Sequence, residues 1–261
     1  MRAISLGYHD ILDPKGLPFL DPRGATSAYS VHRAEFRSQL QAIARTSASS
    51  NVVTIQQARK WDTQVPVFMS FDDGQAGAYT CAAEELEECG WRGHFFITTS
   101  WIDRPGFLSR TQIRELHARG HVIASHTVSH PSRMSELPWD SLVREWRESI
   151  DRLSEILGTK IEVASVADGY YSRRVGLSAA AAGIRVLFNS EPTSSTSFVE
   201  DCLILGRYAV QAQTREAEIV AIAKGEVWPR WKQSALWSIK GVAKSVGGQQ
   251  YLNLRRRLLE K

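Results

Sequence analysis

Long apolar runs are missing from this chain. No stretch approaches the roughly 20 apolar residues that a membrane-spanning helix needs. The apolar part of Met1–Asp10 is too short and too interrupted for a signal-peptide core. A cytoplasmic protein is the expectation. Cysteine is scarce as well. There are three, Cys81, Cys89 and Cys202, and an odd number argues against a disulfide framework. Cys81 and Cys89 fall on one predicted helix, with Cα atoms about 12 Å apart, too far for a bridge. Neither has a neighbouring cysteine at zinc-ribbon spacing. All three read as free structural thiols.

A large excess of one charge is also missing. The net charge is +4, and Lys224–Lys261 alone carries nine Lys/Arg against two Glu, a local surplus of +7. The remainder is therefore slightly acidic, and no nucleic-acid partner is expected.

What is present is ordinary for a globular chain: 261 residues, 43% hydrophobic and 23% charged. That length suits one large α/β domain or two small ones. Strand-like and helix-like runs alternate. Strands are predicted at Ala3–Tyr8, Val65–Phe71, His94–Thr98, His121–Ser125, Ile161–Val166, Ile184–Phe188 and Leu203–Leu205. Helices are predicted at Ala34–Ala44, Ala76–Cys89 (ending at Gly90), from a capped start at Ser109-Arg110-Thr111-Gln112 to Gly120, at Trp139–Leu157 (stopped by Gly158), Ser172–Ala182 and Arg215–Lys224. Pro14–Tyr29 reads as a loop. This alternation predicts parallel strands with crossover helices, and the repeat count suits a barrel.

Residues 1–225 are read as one domain and 226–261 as a helical extension. In that tail Trp228, Trp231, Ala235, Ile239, Val242 and Val246 form one helical stripe, with Lys232, Lys240 and Lys244 off it. The simpler expectation is a terminal helix packed on the barrel. The sharper one is a basic amphipathic helix docking on a membrane surface or an anionic polymer.

Two clusters carry the chemistry: Ser70-Phe71-Asp72-Asp73-Gly74 and Ser125-His126-Thr127-Val128-Ser129-His130. Each directly follows a predicted strand. In a barrel of parallel strands the carboxyl ends form the active rim, so both clusters are placed there. His94 and His121 begin their strands and belong at the other end; His32 and His117 go with helices. Two imidazoles and one carboxylate suit a zinc-like ion with open positions, and histidines at i and i+4 converge if the segment turns helically. The competing reading makes Asp72 and Asp73 simple caps of the helix near Ala76. It leaves the two histidines unexplained.

Phe71-Asp72-Asp73-Gly74 and His126-Thr127-Val128-Ser129-His130 resemble the first two motifs of the NodB-type polysaccharide deacetylases, carbohydrate esterase family 4. The resemblance implies Asp72 as catalytic base and Asp73, His126 and His130 as metal ligands. It implies a divalent metal, zinc first, with cobalt or nickel as alternatives. It also implies a distorted (β/α)7 barrel, an α/β fold of one domain with the C-terminal helical extension. Tyr8-His9-Asp10, His94-Phe95-Phe96-Ile97-Thr98 and Tyr170-Tyr171-Ser172-Arg173-Arg174-Val175 are secondary likenesses. Together they cover about residues 1–225 and look closest to bacterial exopolysaccharide-biosynthesis deacetylases. The implied activity is hydrolysis of a carbon–nitrogen bond other than a peptide bond: acetyl groups leave N-acetylated sugars of a polysaccharide or its precursor, through a metal-activated water with Asp72 as base.

Two departures qualify the match. The family's third motif has an Arg and a Pro before an aromatic residue and Gly, and a backbone N–H there helps hold the oxyanion. The matching stretch is Ser165-Val166-Ala167-Asp168-Gly169. The Arg and Pro are gone, and Asp168 stands at the aromatic position. Asp168 and Gly169 remain candidate substrate or oxyanion residues, against the reading of a plain turn. Many members also carry a late histidine as general acid, and here no histidine follows His130. His9, after the first strand on the same rim, is the best substitute; the alternative is a packed structural histidine. Arg207, after the last strand-like run, is a candidate for stabilising charge. These departures motivate two alternatives: a hydrolase of cyclic amides or ureides on the same scaffold, or a catalytically weak, metal-bearing glycan-binding protein.

Overall fold

The structure, a computed structural model, describes residues 1–13, 28–58, 61 and 63–227. The predicted loop at Pro14–Tyr29 falls almost entirely outside them, as does the tail from residue 228 with its tryptophan stripe.

In chain order the elements begin with β1 (Ile4–Tyr8), β2 (Asp10–Leu12), β3 (Ser30–His32), α1 (Arg33–Ala44) and β4 (Val67–Phe71). Next come α2 (Ala83–Glu88), entered through a π-helical turn at Ala78–Ala82, then β5 (His94–Ile97), α3 (Arg110–Ala118), β6 (Val122–Ser125) and α4 (Trp139–Leu157). The last are β7 (Val163–Ser165), α5 (Arg173–Ala181), β8 (Val186–Phe188), β9 (Ser197–Val199), β10 (Cys202–Leu205), β11 (Tyr208–Ala209) and α6 (Glu216–Ala223).

The main sheet has nine strands in the order β11-β1-β4-β5-β6-β7-β8-β10-β9. Every neighbouring pair is parallel except β10 with β9. Seven of the strands (β1, β4, β5, β6, β7, β8 and β10) are those expected from the sequence. β10 and β11 are halves of a single segment, broken at Gly206-Arg207. The first half pairs with β8 through Leu205↔Phe188 and the second with β1 through Leu6↔Tyr208. The two margins of the curled sheet therefore meet in one stretch of chain. Gly206 is required at the break, because a Cβ there would lie 2.3 Å from the Glu191 carbonyl oxygen. Lower down, Ala3 N–H donates to Ser194 O at 2.9 Å. The result is the distorted barrel expected from the resemblance.

Alternation along the strands sets the two faces. Val67, Met69 and Phe71 of β4 point out to the helices, with Phe95, Ile97, Ile123, Ala164, Leu187 and Ile204. Phe68, Phe96, Val122, Ala124, Val163, Phe188, Leu203 and Leu205 point inward and fill the barrel. Phe68, Phe96 and Phe188 meet edge-on or tilted, with centroids 5.3–5.9 Å apart. Each such buried aromatic stabilises the fold by roughly 1.5–3 kcal/mol. This plug blocks the barrel interior, so chemistry is left to the rim.

The helix signals in the sequence act as read. Ser109 and Gln112 form a reciprocal capping box at α3. α4 ends at Gly158 in the left-handed region, φ 67°. The helix expected from Ala76 begins instead at residue 78, with Gly77 as its N-cap and no side-chain cap. Asp72 and Asp73 are therefore not capping it. β2, β3, β9 and β11 were not foreseen: each is two or three residues long, and none sits in a longer apolar run as the equally short β7 and β8 do. The three cysteines are free thiols. Among the described residues no helix is long and apolar enough to cross a membrane.

Candidate metal centre

β4 delivers Asp72 and Asp73 as its first two residues past the strand, and β6 delivers His126 in the same way. Neighbouring strands β1 and β5 hold both loops. Asp72 N–H donates to Tyr8 O at 3.0 Å, Thr98 N–H to Asp73 O at 3.3 Å, and His126 N–H to Ile97 O at 2.9 Å. Asp73, Thr127 and His130 take left-handed φ values of 73°, 67° and 55°. For a β-branched residue such as Thr127 that conformation is costly and persists only where the surroundings enforce it. Here they do. Thr127 N–H donates to Ser125 Oγ, and His130 N–H donates to Thr127 Oγ1, both at 3.1 Å. Glu145 of α4 accepts from Val128 N, Ser129 N and Ser129 Oγ at 2.7–2.9 Å. The two histidines thus converge through a strained loop and not through a helical turn, which corrects the helical expectation.

One ligand atom each from Asp73, His126 and His130 lies within 4.8 Å of the others, and all three residues are buried. His126 Nε2 is 3.6 Å and His130 Nε2 3.4 Å from Asp73 Oδ1. Trp101 stacks on His130, with rings 18° apart and centroids at 5.4 Å. Two imidazole nitrogens and a carboxylate oxygen facing one point fit a zinc-like ion and leave further positions open. Burial pushes His126 down to about 4, with Asp72 opposing and His130 adding to the fall. It is neutral at physiological pH, as a metal ligand must be.

Asp72 sits beside this set. Arg207 donates from Nη1 to Asp72 Oδ1 at 2.5 Å, and both side chains are buried. Arg207 is itself fixed: Nε donates to Asn189 O at 3.0 Å, and its guanidinium lies over Phe96 at 5.4 Å. Burial alone would raise the Asp72 carboxyl. The Arg207 guanidinium, by charge and hydrogen bond and with smaller help from the neighbouring imidazoles, outweighs it and holds the carboxyl well below its usual range.

The remaining candidates are placed less tightly. His9 is half-buried against Tyr29, with ring centroids 4.7 Å apart, and its Nδ1 has no hydrogen-bond partner among the described residues. Its charge acts on Asp72. Asp168 and Gly169 form a single left-handed turn past β7, at φ 55° and 68°. Asp168 is not one of the side chains whose ligand atoms converge. His94 and His121 are buried at the other end of the strands. His94 bonds Met69 O, and His121 bonds Glu87.

Three contributors escaped the sequence reading. Ser165 bonds both His126 and Asp72, Glu145 braces the histidine loop, and Trp101 backs His130. Only Ser165 left a trace, as the first residue of the altered third motif. Asp10, noted only as part of a likeness, is buried. Desolvation pushes its carboxyl up to about 6; Asp73 adds to the rise, and the Ile11 and Gly77 N–H groups oppose it.

A family model described as polysaccharide deacetylase matches residues 60–187, just under half of the chain. No curated protein matches the chain. Among solved structures, IcaB from Ammonifex degensii is 21% identical, with a TM-score of 0.69 over 85% of this chain and 97% of that one. The Streptococcus pyogenes deacetylase PplD, in complex with acetate, is 18% identical, with a TM-score of 0.67 over 85% and 98%. A de-N-acetylase from Aggregatibacter actinomycetemcomitans is 19% identical, with a TM-score of 0.66 over 85% and 100%. The fold is thus that of the NodB-type polysaccharide deacetylases. On this fold the chain carries an Asp/His cluster capable of binding a metal.

Proposed function

We propose that the chain is a metal-dependent deacetylase that hydrolyses the N-acetyl amide of a sugar in a polysaccharide or its precursor. The observation that carries this is the convergence of Asp73, His126 and His130 beside an ionised, pinned Asp72. Asp73 and the two Nε2 atoms would hold a divalent ion, zinc before cobalt or nickel. Such an ion, when bound, acidifies a water and polarises an acyl oxygen.

The chain supplies the rest. Asp72 stays ionised through the neutral range and accepts the proton of the attacking water. With so low a pKa it is a weak base, so it serves only for a water already acidified. Its Oδ1 is occupied by Arg207, which leaves Oδ2 for that proton. His9 is assigned to the leaving nitrogen, which must gain a proton as the carbon–nitrogen bond breaks. The products are acetate and a free amine. A backbone N–H at Asp168-Gly169 would steady the acyl oxygen, and a backbone donor is independent of the side-chain change at position 168.

Purified protein loaded with zinc, cobalt or nickel should release acetate from N-acetylated oligosaccharides. No release across a broad panel, with metal bound, would count heavily against the proposal. The altered stretch Ser165–Gly169 favours a second reading, a hydrolase of cyclic amides or ureides. Turnover of allantoin or cyclic imides without action on acetylated sugars would select it.

A further inference from the structure

Ser165 ends β7 facing the barrel interior and is fully buried. Its hydroxyl lies 2.6 Å from His126 Nδ1 and 3.3 Å from Asp72 Oδ1. The direction of these bonds follows from chemistry. His126 turns Nε2 towards Asp73, where its lone pair is needed for a metal, so the ring proton belongs on Nδ1. Nδ1–H then donates to Ser165 Oγ, and the hydroxyl hydrogen is free to donate to Asp72 Oδ1. Arg207 reaches the same oxygen from the other side. A continuous chain runs from the metal-facing imidazole through one hydroxyl to the carboxylate and on to the guanidinium.

We propose that Ser165 is a positioning residue that joins the metal ligand His126 and the base Asp72 into one hydrogen-bonded unit. It fixes the Nδ1–H tautomer of His126, and with Arg207 it occupies Asp72 Oδ1 so that Oδ2 alone faces the reacting water. Groups that orient a ligating imidazole raise its donor strength, and their loss typically costs about 10–100-fold in metal affinity or activity. Here Ser165 O also stands 3.2 Å from His126 Nδ1. This backbone acceptor survives any substitution, so the loss belongs at the lower end of that range. The proposal rests on the metal-site reading, but its test needs no substrate.

The experiment is zinc and cobalt titration against a competing chelator, with the cobalt absorption spectrum recorded, on the full chain. Ser165→Ala should weaken metal binding about tenfold and alter the cobalt spectrum, and Ser165→Gly, which also lacks the hydroxyl, should do likewise. Asp72→Asn combined with Ser165→Ala should lose less affinity than the two single losses multiplied, because each breaks the same chain. Wild-type affinity in Ser165→Ala, or losses that simply multiply, would overturn the proposal. An absence of acetate release by the wild type would instead count against the deacetylase reading and leave this result standing.

Discussion

Arg207 and Asp72 form a buried ion pair across 135 positions of sequence, with Nη1 at 2.5 Å from Oδ1. Removing one partner strands the other charge in a desolvated site. Arg207→Met should therefore cost about 3–5 kcal/mol of stability. Adding Asp72→Asn to that variant should restore a large part of the loss. Urea unfolding of both single variants and the double variant reads this, and additive losses would show that the pair is not coupled.

Glu145 accepts three hydrogen bonds from the loop that carries His130. Two come from the backbone N–H groups of Val128 and Ser129. Glu145→Ala should release the left-handed turns at Thr127 and His130. A fall of about tenfold or more in zinc affinity is expected, at the level of other groups that orient ligands. Unchanged affinity in a chelator competition would mean that the loop holds its shape without this carboxylate.

Gly206 lets one segment close the sheet and aim Arg207. A Cβ there would meet Glu191 O at 2.3 Å and Thr193 O at 2.7 Å, both backbone atoms that cannot swing aside. Gly206→Ala should cost about 1–3 kcal/mol through overpacking. It should also reduce activity, because Arg207 must shift with it. A variant with wild-type melting temperature and rate would contradict this account of the closure.

His94 makes the fold sensitive to acid. Burial pushes it down to about 4; its bond to Met69 O opposes the fall and His121 adds to it. In the unfolded chain its value is about 6.5. Between these values the unfolded chain binds the extra proton. The contribution is whole above about pH 6.5 and is lost as pH falls towards 4, on the order of 3 kcal/mol. In His94→Gln the pH dependence of unfolding should flatten across that window. Some slope will remain from His121 and His126, both also about 4. Identical slopes in wild type and variant would refute the assignment.

The parts of the fold legible in the sequence were those with strong local signals. The capping box at Ser109, the stop at Gly158 and the seven strands set in apolar runs were all readable from local pattern. The Asp72-Asp73 and His126/His130 clusters were legible because each directly follows such a strand. What stayed hidden depends on three-dimensional closure. Nothing local in Gly206-Arg207 says that one strand divides between two neighbours, or that Arg207 therefore reaches Asp72. Ser165 and Glu145 look like any serine and any helical glutamate until the fold sets them against His126 and the loop at 127–130. The left-handed turn at Thr127 runs against local preference, and local preference is what sequence reading uses.

The central claim is tested most directly by acetate release from N-acetylated oligosaccharides, comparing metal-loaded wild type with metal-loaded Asp72→Asn. Wild type should release acetate, stop on chelation and resume when metal is restored. With metal held at saturation, Asp72→Asn should turn over about 10²–10⁴-fold more slowly. Equal rates in the two proteins, or no release from metal-loaded wild type, would contradict the account.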